Sequence, residues 1–180
     1  GFCKLYKAGL ATSIGVSNFS VAQMQRIMDL GLESIHNSQV ECHLYWPQQE
    51  MVEFCRKHGI VLTSYGSLCS PGRVNFGKAQ GVNVDWESAP NPFEEPIVKE
   101  LAARYNKSPS QILLRWQIDR GVCVIPKSTK PARIQENLDI CDFHLSEDEV
   151  HRLESVKHRQ RLFLQQHMIG HAEDAFKDER

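Results

Sequence analysis

The stretch Ile125-Pro126-Lys127-Ser128-Thr129, followed by Arg133 and by Glu136-Asn137, gathers more potential chemistry than any other part of this sequence. The apolar run Val122-Cys123-Val124-Ile125 reads as a strand and Pro131 as the start of a helix, so a lysine, two hydroxyls and Arg133 converge on a helix N-terminus. Unpaired N–H groups, a favourable dipole and two cations make such a place an anion site. A phosphate-bearing cofactor is the first functional expectation. Spacing alone is equally compatible with a solvated basic turn between a buried strand and a surface helix.

The elements that must position these groups repeat along the chain. Four short segments rich in β-branched and small apolar residues read as strands, at 12–17, 35–41, 60–65 and 122–126. Each leads through a polar turn into a helical pattern. Residues 1–10 read as the later part of a helix, as though the sequence opened in the middle of something. Ser20 with Gln23 forms a capping-box pattern ahead of Val21, Met24, Ile27 and Met28, with Gly31 as the stop. Pro47 suits the first turn of a helix running to His58 and stopped by Gly59. Ser108-Pro109-Ser110-Gln111 opens another helix, and Ser146 with Glu149 a last one reaching about Val156.

The reading divides the chain into two βα units and a third strand (1–68), an excursion loop holding Phe76 and Trp86 (69–93), helices with the last strand (94–157), and a charged tail (158–180). That tail is expected to pack over the fold or to be partly disordered. Four parallel strands fit either an open three-layer sheet or half of a (β/α)8 barrel. No GxGxxG follows a strand, which disfavours a dinucleotide-binding open sheet. Polar residues stand at all four strand ends, at Ser17-Asn18, Gln39 to Glu41, Tyr65 to Ser70 and Lys127 to Asn137, as barrel sites require.

With 180 residues the chain holds one domain. Lys and Arg number 21 against 22 Asp and Glu, so no global field favours nucleic acid or an anionic membrane. No apolar run approaches the roughly 20 residues of a membrane helix, and no signal-peptide pattern opens the sequence. The six cysteines form no CxxC pair and read as small reduced core residues of a cytoplasmic protein. His43 beside Cys42 is too little for a metal site.

Together, Gly15-Val16-Ser17-Asn18-Phe19, Gln39-Val40-Glu41-Cys42-His43, Ser64-Tyr65-Gly66-Ser67-Leu68 and Ile125-Pro126-Lys127-Ser128 with Arg133 and Glu136-Asn137 resemble the aldo-keto reductases in order and spacing. They match the second half of that family's (β/α)8 TIM barrel, and 171–178 resembles the tail of its aldose and aldehyde reductase branch. The resemblance implies that Ser17, Asn18 and Gln39 hold a nicotinamide carboxamide and that Tyr65 stacks on the ring. Ser67, Leu68 and Ser70 would line the pyrophosphate. Lys127, Ser128, Thr129 and Arg133 would bind the adenosine 2′-phosphate, with Glu136 and Asn137 at the adenine. The implied cofactor is NADP(H), and a guanidinium with an ammonium suits a phosphomonoester better than a bare hydroxyl. Gly66 departs from the serine found in many members.

Blander roles fit each residue singly. Tyr65 suits a half-buried core position, Gln39 and Glu41 suit ordinary strand residues whose polar groups need partners, and Ser17-Asn18 suits a turn. The family's aspartate, tyrosine acid, lysine and histidine lie on the first half of its barrel, and no motif here matches them. The expectation is therefore an NADPH-dependent reductase of a small carbonyl substrate, represented by its cofactor-gripping half without the catalytic acid. The alternative is a non-catalytic NADP(H)-binding or self-assembling half barrel, which would cover two exposed parallel edges.

Overall fold

The computed structural model of the protein describes residues 1–73 and 88–179. Its sheet has four parallel strands, β1 (Gly15–Ser17), β2 (Asn37–Glu41), β3 (Val61–Tyr65) and β4 (Val122–Val124), in the order β1-β2-β3-β4. Each strand pairs with its sequence neighbours and never across a switch point, the topology of half a (β/α)8 barrel. Parallel pairing puts all four C-terminal ends on one rim. The register aligns Ser17 with Gln39, Glu41 with Tyr65 and Ser64 with Val124.

Seven α-helices surround the sheet among the described residues: α1 (Phe2–Lys7), α2 (Val21–Asp29), α3 (Gln49–Lys57), α4 (Pro96–Tyr105), α5 (Pro109–Asp119), α6 (Pro131–Leu138) and α7 (Glu147–Glu154). Three starts are fixed by reciprocal capping boxes, Ser20 with Gln23, Ser108 with Gln111 and Ser146 with Glu149. Each satisfies two N–H groups that the helix itself leaves open. At Gly15 a side chain is excluded outright, because a Cβ would lie 2.4 Å from the Asn37 carbonyl oxygen.

Two apolar clusters hold the layers together. One packs β2, β3 and β4 on α2 and α3 through Met24, Val40, Met51, Cys55, Leu62 and Val122. The other joins α4, α5 and α7 through Leu101, Ile112, Leu113, Trp116 and Leu153, and includes Leu162 of the tail.

Several expected boundaries move. β1 begins at Gly15 instead of residue 12, because the Ile14 N–H is taken by the His36 ring (3.2 Å). β4 ends at Val124, and Pro126 could not have donated to the ladder. α3 starts at Gln49: Gln48 is left-handed (φ 56°), and the Pro47 carbonyl accepts from Arg120 (2.6 Å). α7 stops at Glu154, whose carbonyl accepts from Arg159 (2.5 Å). The tail packs, with Arg161, Leu162, Asp174 and Phe176 buried. Cys42, Cys55 and Cys69 are buried core thiols, whereas Cys123 and Cys141 are exposed, contrary to the core reading. Of the excursion loop, 74–87 with Phe76 and Trp86 lies outside the described residues.

Candidate functional site at the strand ends

Three strand ends are tied together by Asn18. It sits just past β1 in the left-handed region (φ 58°), which asparagine tolerates better than most residues. Its N–H donates to the Gln39 carbonyl (3.0 Å), prolonging the β1–β2 ladder. Its Oδ1 accepts from the Tyr65 hydroxyl (3.0 Å) at the end of β3. The Tyr65 phenol is pushed up to about 12, first by burial and then by the Glu41 charge. It therefore stays neutral, as a ring and a donor. Ser17, Asn18, Gln39 and Tyr65 thus form one contiguous rim segment, with Ser17 exposed and the others partly covered.

The turn after β3 is held from within. Ser64 Oγ donates to the Cys42 carbonyl (2.6 Å), and the Ser67 hydroxyl lies 2.7 Å from it and donates to the Ser64 carbonyl (3.0 Å). Ser67 is therefore buried and turned into the fold, while Leu68 packs on the helix cluster. Cys69 and Ser70 are successive left-handed residues (φ 57° and 40°), a costly backbone shape that clusters at ligand sites.

At β4, Lys127, Ser128 and Asn137 line one concavity of about 480 Å³ with Val124, Pro126, Ile134 and Leu138. Ser128 Oγ accepts from the Lys130 N–H (3.1 Å), shaping the turn into α6. Lys127, Thr129 and Arg133 are exposed around the helix start. Glu136 instead faces α5, where its carboxylate accepts from the Ser108 and Ser110 hydroxyls, the latter at 2.8 Å. Among the described residues no group of three or more His, Cys, Asp or Glu is placed to hold a metal ion. Nor is any helix there long and apolar enough to cross a membrane.

One buried cluster at the rim escaped sequence reasoning. Glu41, at the end of β2, is fully buried and bound to the tail. Its Oε1 lies 2.8 Å from His43 Nε2 and accepts the Leu162 N–H (2.5 Å). Its Oε2 accepts from Arg161 (3.2 Å) and from the Phe163 N–H (3.2 Å). Burial alone would raise the carboxyl pKa, but His43, the Leu162 N–H and Arg161 hold it below the ordinary value of 4.5. Arg161 in turn lies over the rings of Phe176 (3.9 Å) and Trp46 (5.1 Å) and bonds Glu179. No local signal announced it: β2 reads Asn-Ser-Gln-Val-Glu, and the partner Arg161 lies 120 residues further on.

Known proteins resemble this chain in sequence and in fold. A sequence profile described as the Aldo/keto reductase family matches residues 2–158. Aldo-keto reductase family 1 member A1 of Gallus gallus is 43% identical over 155 residues, covering 85% of this chain and 44% of the relative. A probable NAD(P)H-dependent D-xylose reductase of Emericella nidulans is 38% identical over 146 residues, covering 81% of this chain and 44% of the relative. The solved aldose reductase from Schistosoma japonicum superposes with a TM-score of 0.82 at 34% identity, covering 98% of this chain and 52% of that one. The chain thus spans about half the length of these proteins. It matches them in sequence and in fold, and it belongs to the aldo/keto reductase family.

Proposed function

We propose that these strand ends grip NADP(H) for a reductase that converts a small aldehyde or ketone to its alcohol. The observation that carries this reading is the gathering of Asn18, Gln39 and Tyr65 on the rim that also presents Lys127 and Arg133. Asn18 and Gln39 would orient the carboxamide with Ser17, and Tyr65 would offer its neutral ring to the nicotinamide. The left-handed turn at Cys69–Ser70 would pass along the pyrophosphate beside Ser67 and Leu68. Lys127, Ser128, Thr129 and Arg133 would meet the 2′-phosphate at the start of α6. Asn137 would reach the adenine edge, and Glu136 would support that wall from its bonds to Ser108 and Ser110. When bound, the cofactor supplies the hydride; protonation of the carbonyl oxygen needs an acid that no motif in this sequence supplies. The buried thiols Cys42, Cys55 and Cys69 support a reducing, cytoplasmic setting.

The test is a binding comparison on this chain. Lys127→Ala with Arg133→Ala should weaken NADPH by roughly ten- to a hundredfold, at about 1.5–3 kcal/mol for a charge-assisted contact, and NADH hardly at all. Equal losses would sink the 2′-phosphate assignment. Aldehyde-dependent consumption of NADPH by the chain alone would refute the missing acid. A second reading, self-association, is favoured by the exposure of Ile125 just past the edge strand β4. Sedimentation equilibrium giving only monomer would exclude it.

A further inference from the structure

An ionised carboxylate has about four lone-pair positions and no proton to offer. At Glu41 all four are used, two per oxygen: His43 and the Leu162 N–H at Oε1, Arg161 and the Phe163 N–H at Oε2. The side chain is fully buried at the end of β2, level in register with Tyr65. His43 Nε2 faces Oε1, and the buried Nδ1 has no hydrogen-bond partner. The tail is thus fastened to the strand end through backbone N–H groups as well as a side chain, and that fixes the path of two successive residues.

What this path delivers is the Phe163 ring. It meets Tyr65 edge-on, with centroids 5.4 Å apart and planes at 73°. It does so above Gly66, which is left-handed (φ 66°) and where a Cβ would lie 3.2 Å from Phe163 Cε2. Any larger residue at Gly66 would press on that ring and strain the backbone as well. Three features at separate places in the sequence therefore converge on one contact: the carboxylate, the glycine and the aromatic ring.

We propose that Glu41 is a positioning residue that holds the tail so that Phe163 closes one side of the Tyr65 ring, in the space left by Gly66. This rests on the assignment of Tyr65 as the nicotinamide platform. Glu41 does not touch the reacting atoms; it acts through Phe163. An amide cannot replace it, because glutamine retains two acceptor positions and turns an NH2 group towards donors.

The test uses the full chain and two readouts. Amide hydrogen exchange at Leu162 and Phe163 should quicken at least tenfold in Glu41→Gln, with β2 and β3 amides unchanged. Emission of the reduced nicotinamide in bound NADPH should change in Glu41→Gln and equally in Phe163→Ala, which leaves the carboxylate contacts intact. Affinity for adenosine 2′,5′-bisphosphate, which reaches only the α6 end, should stay within twofold in both variants. Unchanged exchange at Leu162 and Phe163 would overturn the latch. If Glu41→Gln does not fold, Phe163→Ala decides: slow exchange with altered emission supports the proposal, and unaltered emission overturns it. Failure of the unsubstituted chain to bind NADPH would refute the cofactor reading and the positioning role together, while exchange would still report on the latch.

Discussion

At β4 the cations Lys127 and Arg133 stand in water around the start of α6, whereas at β2 the charges of Glu41 and Arg161 are sealed between a strand end and the tail. Both places bring charge to the same rim by opposite means. In water, long side chains at a helix start cost the fold little and stay accessible to a ligand. Out of water, each charge must be matched within the chain, and the matching fixes geometry. The comparison separates a place proposed to recognise from a place proposed to position, and the two differ in solvation.

The largest expected effect breaks the buried side. Glu41→Ala leaves His43 and two backbone N–H groups unmatched and removes one of the two carboxylates that Arg161 bonds, and should cost about 3–5 kcal/mol in a denaturant titration; a loss below about 1 kcal/mol would mean that water or the tail repairs the site. Next comes pH. The folded Glu41 pKa lies below 4.5, so its contribution is full above the unfolded value and drains away as pH falls through the folded one. Acid unfolding followed by circular dichroism should therefore be shallower below pH 4.5 in Glu41→Gln than in the parent chain, and coincident curves would contradict the shift. The smallest effect belongs to the exposed side. Lys127→Ala and Arg133→Ala should each move stability by no more than about 0.5 kcal/mol, and a larger loss would show the anchor to be structural.

Local chemistry made much of this legible. Ser20, Ser108 and Ser146 announced their helices because a capping box is satisfied within four residues. The four strand segments were found by composition, and their ends were overdrawn where Ile14 turns to His36 and where Pro126 cannot pair. Pro47 misled because its carbonyl serves Arg120, a contact from the far side of the fold. The anion motif at Lys127 to Arg133 is contiguous and could be read directly. The Glu41–Arg161 pair could not, since 120 residues separate its members and only the packed tail unites them. A contiguous exposed motif is written locally, and a buried pairing across the chain is not.

The most direct test of the central claim is a titration of the chain with adenosine 2′,5′-bisphosphate and with 5′-AMP, followed by amide chemical shifts. The account predicts at least a tenfold preference for the bisphosphate, shifts centred on Lys127 to Asn137, and loss of the preference in the Lys127→Ala, Arg133→Ala double variant. Equal affinities, or a preference that survives both substitutions, would contradict it.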